Sequence, residues 1–145
     1  EVMKIEDYKE LQKIIYGNQT LESKPINGSL KSIKNLKNWG HQLFIISRRR
    51  SEFQNPALLW LSKNKVLDYI PLEKIKFVKK DEDKNTEASI LGLDIFLDDS
   101  IDVLLYLDSV KKKFLLDPLS DYKNIPADIH QIISWKKFTE EITRL

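Results

Sequence analysis

Cysteine is absent from the 145-residue chain. That excludes disulfides, a thiolate nucleophile and any zinc site built on sulfur. Histidine is scarce as well: His41 and His130 are the only two, and two lone imidazoles do not make a zinc centre. No apolar run approaches the ~18 residues that a bilayer span requires, so no membrane partner is expected. Charge of one sign is also lacking. The 24 basic and 22 acidic side chains are scattered along the sequence and leave a net charge of +2, so no strong field selects nucleic acid as a partner. Met3 is the single methionine and the first residue is Glu1. An initiator methionine is not normally trimmed ahead of so large a side chain, which leads to the expectation that translation begins upstream. No charged segment followed by an apolar run marks export, and a cytoplasmic setting is the default expectation.

What is present suits one soluble domain. The length matches a typical domain of ~150 residues, and 41% hydrophobic with 32% charged residues supplies enough apolar material for one core. No repeat, low-complexity tract or linker divides the chain.

Hydrophobic periodicity then orders the elements. Asp7 and Glu10 have capping-box spacing and Ile5, Tyr8, Leu11, Ile14 and Ile15 recur at helical intervals, predicting a short helix over 8–16 closed by Gly17. After a polar loop, Leu30, Ile33, Leu36 and Trp39 predict a second helix ending at Gly40. The continuous apolar run 43–46 reads as a buried strand. Ser51 and Gln54 fit a capping box for a helix to about Lys63, followed by a strand over 75–78, a helix over 86–91 and a strand over 93–97. A helix over 101–107, a strand over 113–116 and a closing helix carrying Trp135, Phe138 and Ile142 complete the order. Strands alternating with helices of this length predict βαβ crossovers, hence an α/β fold with a parallel sheet flanked by helices.

In an open parallel sheet, ligands bind beyond the carboxyl ends of the strands. That rule selects Ser47 and Arg48 after the first strand, the polar loop with Lys84 after the second, Asp98-Asp99-Ser100 after the third and Asp117-Pro118 after the fourth. A hydroxyl, a lysine and paired carboxylates on one rim suit a phosphate ester beside Mg²⁺. Carboxylate oxygens are hard ligands for that cation, and a lysine offsets phosphoryl charge.

The order Gly40-His41-Gln42-Leu43-Phe44-Ile45-Ile46-Ser47-Arg48, Trp60-Leu61, Lys84 and, fourteen positions later, Asp98 within Leu91-Gly92-Leu93-Asp94-Ile95-Phe96-Leu97-Asp98-Asp99-Ser100 resembles the haloacid dehalogenase superfamily of phosphohydrolases. Within it the chain is most similar to the 5'-nucleotidase group that includes deoxyribonucleotidases. Pro25-Ile26-Asn27-Gly28 resembles the lead-in to the helix before the serine strand in that group. Leu115-Leu116-Asp117-Pro118 and Ser134-Trp135-Lys136-Lys137-Phe138 resemble its closing strand and final helix. The resemblance covers residues 25–145 and implies a Rossmannoid α/β core there, with 1–24 as a small helical cap segment. It implies that Ser47 hydrogen-bonds the transferring phosphoryl group, that Lys84 stabilises phosphoryl charge, and that Asp98 and Asp99 hold Mg²⁺; Arg48 is a candidate substrate contact. The superfamily's nucleophile and general acid/base sit in an Asp-x-Asp-x-Thr/Val element on a first, central strand, and no such element occurs in these 145 residues. The resemblance therefore places that strand upstream, and implies a sheet with a gap at its centre between the serine strand and the aspartate strand.

Plainer roles stand beside these. Asp98-Asp99-Ser100 suits a helix N-cap, Lys84 a solvated loop charge, Ser47 a strand-end turn and Arg48 to Arg50 a solvated run. Lys111 to Lys113 reads as a solvated turn, His41 as structural, and Trp39, Trp60 and Trp135 as core or packing residues. Two functions remain open. One is an Mg²⁺-dependent phosphatase acting on a small phosphorylated substrate, a nucleotide by resemblance, through an aspartyl-phosphate. The other is a non-catalytic binding or interaction protein on the same fold. A small cap leaves the site open, which admits large substrates or calls for a second subunit, a homo-oligomer, to close it.

Overall fold

The computed structural model describes residues 23–145; the helix expected over 8–16 and nearly all of the cap segment lie outside the described residues. Gly28 adopts the left-handed φ of 82° from which helix α1 (Ser29–Asn38) starts. A residue with a Cβ is strained there, and that Cβ would lie 3.6 Å from Trp135 Cβ. The chain continues through β1 (Ile45–Arg48), α2 (Ser51–Lys63), two 3₁₀ turns (Val66–Asp68 and Leu72–Lys74) and β2 (Ile75–Val78). Then come α3 (Asp83–Leu91), β3 (Ile95–Asp98), α4 (Ile101–Leu105), β4 (Lys112–Leu116), β5 (Ile129–Ile132) and α5 (Trp135–Thr143). The class is mixed α/β, with short parallel sheets flanked by helices. No helix among the described residues is long and apolar enough to cross a membrane.

The strands form two sheets rather than one. β1 pairs in parallel with β2, Ile45 opposite Ile75 and Arg48 opposite Val78. Separately, β3, β4 and β5 pair in parallel in that order, with Asp98 opposite Leu115 and Leu116 opposite Ile132. Side-chain alternation sends successive strand residues to opposite faces. Phe96, Leu115 and Ile129 meet Ala88 of α3 and Val103 and Leu104 of α4 on one face. Phe114, Leu116 and Ile132 meet Leu36 of α1 and Phe138 and Ile142 of α5 on the other. Phe138 contacts Phe114 edge-on, with ring centroids 5.2 Å apart. A buried hydroxyl pair ties α1 to α5: Thr139 donates to Ser32 Oγ at 2.7 Å and Ser32 donates to the Trp135 carbonyl at 3.2 Å.

The smaller sheet has its own cluster, in which Val66, Ile70 and Ile75 pack with Ile33, Ile45, Leu58 and Trp60. The two halves are joined through β1. Ile46 packs onto the cluster containing Phe96, and Leu43 touches both the α1–α5 layer and the smaller cluster. β1 and β3 each keep one edge unpaired, and the side chains of Leu43 and Ile46 bridge the seam between the two sheets.

Several boundaries differ from the sequence reading. The runs 43–46 and 93–97 become strands two residues later, at Ile45–Arg48 and Ile95–Asp98. Apolar content marks burial, whereas ladder pairing marks the strand. Leu43 packs between clusters, and Phe44 lies under the Lys74 ammonium at 5.3 Å. The helix expected at 86–91 begins at Asp83, so Lys84 is helical and not in a loop. Lys80 N–H donates to Asp83 Oδ2 at 3.2 Å, and acidic residues suit a helix N-terminus. Ser51 is the first residue of α2 rather than its cap, and Gln54 reaches back to the Arg49 carbonyl at 3.4 Å. The helix expected over 101–107 ends at Leu105, and β5 was not anticipated, because His130-Gln131 interrupts its apolar pattern. Trp39 is 51% exposed and so is not a core residue; its other reading, packing on the cap segment, falls outside the described residues. Lys113, taken for a solvated turn, is a buried strand residue whose ammonium pairs with Asp128 at 3.0 Å.

Candidate functional site

At the carboxyl ends of β1, β2 and β3 the charged residues form a chain of contacts. Arg48 closes β1, and its Nη1 lies 3.4 Å from Asp81 Oδ1 in the turn after β2. That turn leads directly into α3, where Lys84 sits one turn before the fully buried Ala88 on the inward face. Because α3 packs against both β1 and β2, the lysine stem is covered, and only 8% of the residue is exposed. Its ammonium reaches the end of β3 and binds Asp98 Oδ2 at 2.9 Å. The contacts place the ends of both sheets on one rim and set Lys84 across the seam.

Asp98, the last residue of β3, is held from two directions. Besides Lys84, the Ser100 N–H donates to its Oδ1 at 3.0 Å, an Asx-type turn. Ser100 itself is the N-cap of α4, its hydroxyl accepting from Val103 N–H at 3.4 Å. The capping role anticipated for the Asp98-Asp99-Ser100 run thus falls to the serine. Asp99 is exposed as a residue, yet partial burial of its carboxyl pushes the pKa above the ordinary carboxylate value. The Asp98 charge and a hydrogen bond to Asp98 push the same way, against the pull of its own backbone and of Lys84.

Ser47 stands one residue short of the end of β1, opposite Phe77. Its side chain is on the α2 side of the sheet, bordering a cavity of about 140 Å³ with Ala57, Trp60, Leu61 and Phe77. Ile46 faces the opposite side, among the α3 and β3 side chains. The structure therefore brings Lys84, Asp98 and Asp99 together, sets Arg48 at the edge of that group, and turns Ser47 to the other face. His41 is exposed ahead of β1, away from this rim.

The sequence reading noted Asp117 only as part of an Asp-Pro step. The residue directly follows β4 and is 4% exposed. Its carboxylate accepts from Asp121 N–H and Tyr122 N–H, both at 3.0 Å, and from Gln131 Nε2 at 2.6 Å. Burial pushes its pKa up, but the backbone donors, the Gln131 amide and the Lys123 charge outweigh this and hold it below the ordinary value. The strand-end rule had selected this position; what the sequence did not show was that Gln131, from the unanticipated β5, would turn inward to meet it.

Among the described residues no group of three or more His, Asp or Glu side chains is placed to hold a metal ion. Adjacent Asp98 and Asp99 fit a weaker requirement. Mg²⁺ commonly takes one or two protein carboxylates and completes its shell with water and phosphate oxygens. Burial raises the Asp99 pKa most and the neighbouring Asp98 charge adds to it; a divalent cation offsets both. The arrangement can therefore neutralise an oxyanion from one side with Lys84 and hold a hard cation on the other.

No protein-family model matches the chain, and a search of curated proteins finds no match.

Proposed function

We propose that the protein is an Mg²⁺-dependent phosphatase of the haloacid dehalogenase type, nucleotidase-like, acting on a phosphate monoester through an aspartyl-phosphate. The nucleophile is carried on a strand upstream of residue 1, outside the 145 residues. One observation carries the reading. The sheet is divided between β1 and β3, with the buried Lys84–Asp98 pair at the carboxyl end of the division. A sixth parallel strand entering there would present its own carboxyl end beside Lys84, where a nucleophile is required.

In this reading Lys84 shares its charge between Asp98 and the phosphoryl oxygens, lowering the cost of charge that develops during transfer. Being held by the α3 packing, the ammonium needs little reorganisation to do so. Arg48 bounds the site from β1, its exposed guanidinium able to meet a phosphate oxygen by exchanging its half-buried partner Asp81. Asp98 and Asp99 would hold Mg²⁺, which supplies charge neutralisation on the phosphoryl group. Ser100 and Lys84 keep the Asp98 carboxylate oriented.

A second reading, a non-catalytic binding protein with the same rim, is favoured by the lack of an Asp-x-Asp-x-Thr/Val element in the 145 residues. One experiment separates the two: the natural full-length protein is incubated with nucleoside monophosphates and with a generic aryl phosphate, with and without Mg²⁺. Phosphate release that needs Mg²⁺ and is lost in Asp98→Asn and Lys84→Ala supports the phosphatase. Binding of the nucleotide without turnover supports the second reading, and turnover indifferent to both substitutions overturns the assignment of the site.

A further inference from the structure

We infer that Tyr122 is a positioning residue for the Asp98-Asp99 pair, locked by Asp117. The inference rests on the reading of these carboxylates as a cation site. The two aspartates are held differently. Asp98 has both oxygens occupied, by Lys84 Nζ at 2.9 Å and by Ser100 N–H at 3.0 Å. Asp99 is exposed as a residue with its carboxyl partly buried beside Asp98, and where that carboxyl stands depends on its backbone. That backbone is gripped from outside its own turn: the Tyr122 hydroxyl donates to the Asp99 carbonyl at 3.2 Å. Fixing this carbonyl fixes the plane of the peptide after Asp99, and with it the angle at which the Asp99 Cα–Cβ bond leaves the rim.

A tyrosine in a loop is a useful anchor only if the loop is rigid. Here the loop after β4 closes on the buried Asp117 carboxylate, which binds the N–H groups of Asp121 and Tyr122 and is itself fixed by Gln131 of β5. Asp117 N–H also donates to the Ile132 carbonyl at 2.8 Å. The Tyr122 ring packs against the cluster formed by Phe96, Leu104 and Leu115. Order thus runs from the centre of the larger sheet, through Asp117 and Tyr122, to the exposed aspartate. Groups that orient metal ligands from behind typically change affinity about 10- to 100-fold when removed. A single neutral hydroxyl acting through a backbone carbonyl belongs at the lower end.

The test is Mn²⁺ binding to the full chain, followed by the loss of the free-ion electron paramagnetic resonance signal, for wild type, Asp98→Asn, Tyr122→Phe and the exposed control Tyr106→Phe. Thermal melts of each are recorded without metal. The expected result is binding by wild type, loss of binding in Asp98→Asn, an unchanged Tyr106→Phe, and about tenfold weaker binding in Tyr122→Phe with its melt unchanged. Asp117→Asn, which loosens the same loop from the other end, is expected to weaken Mn²⁺ binding in the same direction. If Asp98→Asn abolishes binding while Tyr122→Phe and Asp117→Asn bind as wild type does, the positioning role is overturned and the cation site stands. If wild type and Asp98→Asn are indistinguishable, the cation site itself falls, and the role of Tyr122 with it.

Discussion

Removing one member of the Lys84–Asp98 pair should cost far more than removing both. The two side chains are 10% and 11% exposed and their charged atoms are 2.9 Å apart. At an effective dielectric of about 20, unit charges ~3 Å apart attract by roughly 6 kcal/mol. Most of that is offset by the desolvation of both groups, so the intact pair contributes little in sum. A lone survivor retains the desolvation and loses the attraction, which typically costs about 3–5 kcal/mol. Lys84→Met leaves Asp98 with the Ser100 N–H still bound, which sets the expectation at about 3 kcal/mol, the low end of that range. Asp98→Asn strands a buried ammonium and is expected to cost at least as much. The double variant strands neither charge and should lose less than either single, so the coupling across the cycle is at least about 3 kcal/mol. Urea unfolding followed by circular dichroism measures all four corners of the cycle, and each single variant should also melt roughly 10 °C lower. Additivity within about 0.5 kcal/mol would refute the reasoning, because it would mean that the ammonium and carboxylate do not meet in a dry environment.

Leu104, fully buried between α4 and the larger sheet, should lose about 2–5 kcal/mol on truncation to alanine, whereas Trp39→Ala should be nearly silent by the same measurement. Asp117 has a pKa depressed in the folded state, so its contribution is complete above the ordinary carboxylate value of about 3.9 and is lost as pH falls through the lower folded value. Asp117→Asn should therefore be less stable than wild type at neutral pH, with the gap closing in acid; a gap that widens in acid refutes the assignment. The 145-residue chain alone should release no phosphate from nucleoside monophosphates, and Mg²⁺-dependent turnover lost in Asp98→Asn would show that a nucleophile lies within it.

The α/β class was legible because each strand is a short apolar run and each helix an apolar stripe, and those patterns survive burial from either side. The rim was legible for a related reason: a parallel strand ends where its apolar run meets polar residues, which located Arg48, Lys84, Asp98 and Asp99. Side-chain direction was less accessible. Whether Ser47 faced α2 or α3 depended on which side of the sheet each helix packs, which a continuous apolar run does not disclose. Lys84 read as a loop charge because the apolar positions of α3 come only after it, and a single buried lysine in a largely solvated first turn carries no hydrophobic signature. The Asp117, Tyr122 and Gln131 network depends on β5, whose exposed His130-Gln131 centre breaks the pattern on which strand recognition relies.

The division of the sheet also bears on how the chain behaves among copies of itself. Natural sheets guard their margins with charge, brevity or cover. The outer margin of β2 is guarded in this way, with Lys76 inside the strand and Lys74, Lys79 and Lys80 flanking it. The inner margins are not. β1 offers Ile45-Ile46-Ser47 and β3 offers Ile95-Phe96-Leu97 before either reaches its charged last residue. Among the described residues their protection comes from α3 packed over β1 and from Lys84 clasping Asp98 across the mouth. Widening the seam would uncover two hydrophobic templates at once, and in parallel orientation. The Lys84–Asp98 clasp therefore also restrains the opening that would expose them.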